Sequence, residues 1–209
     1  MPLTCRVALA LATALALGAS ASVFADGNAA HGEILSYTCL RCHGIEDYRN
    51  AYPNYTVPRL GGQHADYIVA ARKEYRDGTR MHPTMHIQAS TLSDQDMQDI
   101  ATYFASEVNI KVGGPTVGTE PTKVTQLCVS CHGKDGIGIS GAYPTLKGQH
   151  ADYLEQALTE YKSGERKNPV MSTFAGGLTA TDIRTIAEYY SEQTPGLKTL
   201  DRRLTILSS

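Results

Sequence analysis

Tryptophan is absent from the 209 residues, and phenylalanine occurs three times; the aromatic content falls on twelve tyrosines. An excess of positive charge is absent too. Lys and Arg number 19 against 21 Asp and Glu, a net charge of -2 with a pI near 6.4. Without a basic face, phosphate-driven binding of nucleic acid has no support, so no nucleic-acid partner is expected. Charged residues make up 19% and hydrophobic residues 42%, which excludes a disordered or collagen-like chain. Long apolar runs are missing beyond the N-terminus. The one run there, Val7 to Leu17, has 11 residues, whereas spanning a bilayer takes roughly 20. The mature chain is therefore expected to have no transmembrane segment.

Residues 1–25 read as a cleaved signal peptide: a single basic residue (Arg6), the apolar run, then small residues ending in Val23-Phe24-Ala25. An uncleaved anchor is the alternative. Cleavage implies export, and the expected location is the periplasm. Cys5 leaves with the signal peptide. The mature chain then has no odd cysteine, only two pairs, Cys39/Cys42 and Cys128/Cys131.

Each pair is followed directly by a histidine. Cys39-Leu40-Arg41-Cys42-His43 and Cys128-Val129-Ser130-Cys131-His132 both read C-x-x-C-H, the attachment signature of c-type haem. Two thiols at this spacing can add across the two vinyl groups of one haem. The adjacent imidazole of His43 or His132 is then held under the ring as an iron ligand. Two covalently attached haem c groups are the expected cofactors. The competing readings fit less well. A zinc site wants its pairs about 15–20 residues apart, but 85 residues separate Cys42 from Cys128. A thioredoxin-like dithiol wants a βαβ context, and simple disulfides do not require the two matching histidines.

An internal repeat supports two sites. A shift of 86 residues lays Gly62-Gln63-His64-Ala65-Asp66-Tyr67 on Gly148-Gln149-His150-Ala151-Asp152-Tyr153. It also matches Pro58 with Pro144, Arg80 with Arg166 and Met85 with Met171. The haem motifs are offset by 89, so the first unit has three extra residues between its motif and Pro58. The expected organisation is residues 26–112 as a first unit, 113–118 as a linker, 119–195 as a second unit and 196–209 as a tail.

The pattern is all-α. Ser93 with Asp96, and Thr179 with Asp182, resemble capping boxes. They precede the apolar faces Met97, Ile100, Ala101, Phe104 and Ile183, Ile186, Ala187, Tyr190. Middle helices are expected from about His64 to Asp77 and from His150 to Ser163. A first helix runs from about Asn28 to Thr38, with a shorter counterpart starting near Pro121. No segment alternates with period two, so no sheet is expected. In the tail, Leu197, Leu200, Leu204 and Leu207 recur at helical steps; a short amphipathic helix is expected, packed on the body or docking a partner.

With these motifs the chain resembles the dihaem cytochrome c4 family. The resemblance rests on the paired C-x-x-C-H motifs, on Pro58-Arg59-Leu60 and Pro144-Thr145-Leu146, on the Gly-Gln-His segments and on the Met loops. It implies two tandem class I cytochrome c domains related by a pseudo-two-fold axis, with the haems facing each other. It implies periplasmic electron transfer, commonly toward a terminal oxidase. By the same resemblance the carbonyls of Pro58 and Pro144 orient His43 and His132. Arg80 and Arg166 either pair with haem propionates or lie on the surface.

The sixth iron ligands follow from the repeat. Met171 is the one Met of the second unit, and the repeat maps it onto Met85. Met81 is the rival in the first unit, but Lys167 stands at the matching position. Met97 lies on an apolar helix face and reads as core. The repeated His64 and His150 allow bis-histidine ligation, or else mark helix starts or domain contacts. His82 and His86 have no histidine counterpart and are expected to face solvent. Tyr48, Tyr52 and Tyr55 in loop 45–57 shield the first haem, form a docking surface or fill space. No catalytic residue is expected. The leading function is a carrier of single electrons between a protein donor and a protein acceptor, free to dock on membrane complexes. Alternatives are an electron-accepting subunit of a separate dehydrogenase, or a dihaem enzyme such as a peroxidase. Residues 26–113 hold 8 basic and 11 acidic side chains, and residues 114–209 hold 10 of each. By that count alone the haem on Cys39/Cys42 has the lower potential.

Overall fold

The computed structural model describes residues 26–201. The expected signal peptide lies outside them, as does most of the tail. The described chain is helical. Its only β-type pairings are isolated antiparallel bridges between Arg49 and Thr56, Gly61 and Lys198, and Arg80 and Arg166.

The first half contains α1 (Ala29–Leu35), α2 (Leu40–His43), α3 (Ala65–Asp77), α4 (Pro83–Ser90) and α5 (Asp94–Ser106). Each boundary has a local cause. Asn28 caps α1 by accepting the His31 N–H. Both bonds of the capping box at Ser93 and Asp96 are made. Gly78 ends α3 with φ 75°, a left-handed conformation that glycine adopts without strain. The apolar faces of α3 and α5 bury Ile68, Ile100, Ala101 and Phe104, joined by Leu40 from the turn carrying the cysteines. α1 crosses α5 in backbone contact at Gly32, where a Cβ would lie 2.0 Å from the Asp99 carbonyl oxygen. There the Asp99 carboxylate accepts from the Asn28 N–H at 2.8 Å and from His31 Nδ1 at 2.7 Å.

The second half repeats this plan with α6 (Val129–His132), α7 (Ala151–Ser163), α8 (Pro169–Gly176) and α9 (Ala180–Glu192). Thr179 and Asp182 form the second capping box. The counterpart of α1 is reduced to one wide π-type turn, Val124–Cys128, anchored by the fully buried Val124. Its core is Leu154, Ile183, Ile186, Ala187 and Tyr190 around that valine. Helices α4 and α8 are additions to the sequence expectation, which read these segments as loops. Each starts with a proline, whose fixed φ suits a first helical position and whose missing N–H costs nothing there.

The tail departs from expectation. Its described part, 196–201, is not helical. It runs extended across both halves. The Leu197 N–H donates to Lys147 O at 2.9 Å, and Lys198 exchanges two 3.0 Å backbone bonds with Gly61. Leu197 is 2% exposed, and Leu200 packs against the core of the first half. Backbone pairing with the two halves satisfies the N–H and C=O groups that a helix would have satisfied internally. Residues 202–209 of the expected helix lie outside the described residues.

Candidate functional site

The two C-x-x-C-H segments each form one turn of helix. That turn puts Cys39 and Cys42, and likewise Cys128 and Cys131, three residues apart on one face. All four thiols are half-buried and none is in a disulfide. Burial pushes the Cys128 thiol up to about 11, so it is a neutral thiol rather than a thiolate.

The histidines that follow are held identically. His43 Nδ1 lies 2.8 Å from the Pro58 carbonyl and His132 Nδ1 lies 3.0 Å from the Pro144 carbonyl. A carbonyl only accepts, so Nδ1 carries the proton and Nε2 keeps its lone pair. Burial lowers the pKa of both rings. For His43 it falls to about 4, the bond to Pro58 opposing the shift and the Arg72 charge adding to it. The result is a neutral imidazole with a fixed tautomer and a free Nε2, the form that ligates a metal.

The His43 shift sets a pH dependence. Its folded pKa of about 4 lies below the ordinary 6.5. Between those values the unfolded chain binds a proton that the folded chain refuses. The stability contributed by neutral His43 is therefore complete above pH 6.5 and is lost as pH falls toward about 4. A metal on Nε2 acts in the same sense, since proton and metal compete for one lone pair. Urea midpoints measured from pH 7 to pH 4 are expected to fall. A midpoint that rises on acidification contradicts a neutral His43.

The methionines sit on α4 and α8. Met85 packs against the cluster of Tyr75, Ala89 and the fully buried Met97. Met81 is 67% exposed and lies outside that cluster. The Met85 N–H donates to His82 Nδ1 at 3.3 Å, and the Met171 N–H donates to Asn168 Oδ1 at 3.0 Å. His82 and Asn168 are thus equivalent helix caps. The expectation that His82 faces solvent is corrected, since it is a half-buried cap; His86 is exposed as expected and also donates from Nδ1 to Tyr75 O at 2.9 Å.

His64 and His150 lie at the seam between the halves. His64 Nε2 donates to Gly138 O at 3.2 Å, and His150 lies close to Arg59 and Glu46 of the first half. The domain-contact reading describes them. Loop 45–57 also reaches across. Asp152 accepts from Arg49 Nη1 at 2.8 Å, from Thr56 N–H at 2.9 Å and from Thr56 Oγ1 at 2.8 Å. Tyr55 is buried against Tyr153, while Tyr52 is 93% exposed.

The rest of the seam obeys the repeat. Gln63 exchanges two bonds, of 2.9 and 2.8 Å, with the peptide of Thr145, and Gln149 exchanges two, of 3.0 and 2.9 Å, with that of Arg59. Arg80 and Arg166 are not surface residues; they are 5% and 3% exposed. Each guanidinium stacks 4.4 Å from a tyrosine ring of its own half, Tyr75 or Tyr161. Each also donates across the seam, Arg80 to Tyr153 Oη at 2.6 Å and Arg166 to Tyr67 Oη at 2.9 Å. Arg166 Nε is buried without a partner, as is Arg72 Nη1 beside Cys39. Gln63, Gln149, Asp152 and Arg72 were not singled out from sequence. The repeat held a signal for Arg72: the matching position is Leu158.

The cytochrome c family profile matches residues 29–107 and 122–193. The chain is 34% identical over 190 residues to cytochrome c4 of Pseudomonas aeruginosa, covering 84% of this chain and 93% of that one. The chain belongs to the cytochrome c4 family. Among solved structures it is similar to the reduced recombinant cytochrome c4 from Pseudomonas stutzeri, with a TM-score of 0.62 and 28% identity over 82% of this chain and 100% of that one. It is also 31% identical to a thiosulfate dehydrogenase electron acceptor of Stutzerimonas stutzeri, over 73% of this chain and 77% of the relative.

As a cytochrome c4-type protein with two cytochrome c domains it is a dihaem electron-transfer cytochrome carrying two covalently bound haem c groups. The residues present fit two such groups. Each half offers two unpaired thiols on one face, a neutral imidazole with Nε2 free, and a half-buried thioether. The partnerless nitrogens of Arg72 and Arg166 are buried donors, and a haem propionate is an acceptor of the right charge. Among the described residues no helix is long and apolar enough to cross a membrane.

Proposed function

We propose that this cytochrome c4 carries single electrons in the periplasm between respiratory-chain partners, toward a terminal oxidase. In this reading residues 26–112 and 119–195 are the two haem domains, joined by 113–118. Cys39 and Cys42 would tether one haem, with His43 and Met85 holding its iron. Cys128 and Cys131 would tether the other, with His132 and Met171. The observation that carries the reading is the paired bond from His43 and His132 to Pro58 and Pro144, made at the same place in each half.

When bound, each haem supplies a one-electron iron couple. The chain does the rest. Pro58 and Pro144 fix the histidine tautomer and ring orientation and would raise the basicity of the nitrogen that holds the iron. The thioethers of Met85 and Met171 favour ferrous iron and raise the potential, which suits the oxidising end of a chain. Arg80 and Arg166, buried at the seam, would offset propionate charge. With a histidine and a methionine both holding each iron, no position would be open for substrate, which makes the protein a carrier rather than an enzyme. The dehydrogenase-acceptor relative supports a second reading, in which the immediate donor is a dehydrogenase and the carrier chemistry is the same.

The test is the optical spectrum of the purified ferric protein with and without cyanide. Two low-spin haems that bind cyanide slowly or not at all are expected. A high-spin or readily ligated iron in fresh protein overturns the carrier reading in favour of an enzyme.

A further inference from the structure

A buried cation on α3 distinguishes the first site from the second. Arg72 lies on the inward face of α3 and is 5% exposed. Its guanidinium lies close enough to Cys39 for the two to interact electrostatically, and its Nη1 is buried without a partner. Among the described residues no carboxylate pairs with it. The equivalent residue of α7 is Leu158, which packs against the apolar core of the second half. Arg80 and Arg166 are related by the repeat. The buried Lys147 of the second half lies 3.8 Å from Asp135, a pair without net charge. Arg72 is therefore a buried cation, without a carboxylate partner among the described residues, that the second half lacks.

A buried, unpaired cation is costly to maintain and interacts strongly with neighbouring charge, because little water screens it. A guanidinium stays protonated even when buried. Ferric haem carries one more positive charge than ferrous haem. A fixed cation beside it penalises the ferric state. If the guanidinium meets a propionate instead, it cancels a negative charge and shifts the couple in the same direction.

We propose that Arg72 is a potential-setting residue: it raises the reduction potential of the haem on Cys39/Cys42 above that of the haem on Cys128/Cys131, so that an electron rests on the first haem. This rests on the proposed assignment of the two haem sites. It reverses the order expected from net charge. The acidic excess of the first half is spread over groups that are largely solvated and screened within about 10 Å at 0.1 M salt, whereas Arg72 acts from inside the site.

The experiment is a redox titration of the holoprotein, with each haem followed by its own methyl NMR signals. In the wild type the first-half methyls are expected to reach their reduced positions at the higher potential. Arg72→Leu installs the residue that the repeat already uses. At fixed potential it should lower the reduced-to-oxidised ratio of the first haem at least tenfold, equivalent to about 59 mV for a one-electron couple. The second haem should stay within twofold, and Arg72→Lys should retain most of the wild-type ratio. Arg72→Gln replaces the leucine variant if that one does not assemble.

Three results overturn the proposal: reduction of the second haem first in the wild type, a first-haem ratio unchanged in the leucine or glutamine variant, or equal shifts in the lysine and leucine variants. Haem content and the low-spin spectrum test the site assignment separately, since an altered ratio with both intact concerns Arg72 alone.

Discussion

Met85→Ala and Met171→Ala are each expected to remove about half of the ferric sulfur-to-iron absorption band, and Met81→Ala to leave it intact. The expectation follows from where the chain places its sulfurs. Met85 sits on α4, one turn from its cap at His82, and packs toward Tyr75, Ala89 and Met97. Met171 holds the same place on α8, capped by Asn168. Met81 precedes α4 and is 67% exposed. Losing the thioether opens one axial position, so each alanine variant should also gain cyanide binding at one haem per chain and show a lower potential there. A band that survives Met85→Ala and weakens in Met81→Ala contradicts the assignment. A band unaffected by any of the three contradicts methionine ligation.

The second large effect is expected at the seam. Gln63 and Gln149 are each 4% exposed, and each satisfies both the backbone N–H and the backbone C=O of one residue in the opposite half. Truncation to alanine leaves a donor and an acceptor without partners. Each such variant should lose about 1–3 kcal/mol, typical for an unsatisfied buried group. Gln63→Ala should lose more than Gln149→Ala, because Thr145 is 2% exposed whereas Arg59 is only partly buried. The double variant should lose roughly the sum if the two sites are independent. It should also show separate unfolding of the two halves when absorbance at each haem is compared with helical signal. An unchanged melting temperature in the double variant would falsify the claim that these two side chains hold the halves together.

Much of the site was legible because its chemistry is local. C-x-x-C-H brings thiols and imidazole together within one helical turn, so adjacency in sequence is adjacency in space. The repeat at 86 residues singled out Met85 over Met81, because it compares one half with the other without any knowledge of packing. The capping boxes at Ser93 and Thr179 and the glycine stops at Gly78 and Gly164 were readable for the same reason: each concerns groups within four residues. Helices α4 and α8 were missed because eight residues with a narrow apolar face carry little periodic signal. The tail misled by coincidence. Leucines at 197 and 200 match a helical step, but an extended strap buries Leu197 and packs Leu200 on the first half.

An all-helical chain of two related units, each with its own haem-attachment turn, could be read from the residues alone. That is so because covalent attachment, capping and helical period are encoded over a few neighbouring residues. What the matched pairs of the repeat do depends on contacts that folding makes between distant residues. Gln63 finds the peptide of Thr145, 82 residues away, and Arg166 finds the hydroxyl of Tyr67, 99 residues away. Folding alone decided that Arg72 points inward beside Cys39 rather than outward into water. A guanidinium is tolerated at either address in a helical pattern. Which one it takes depends on the shape and charge of the surface that folding brings against it.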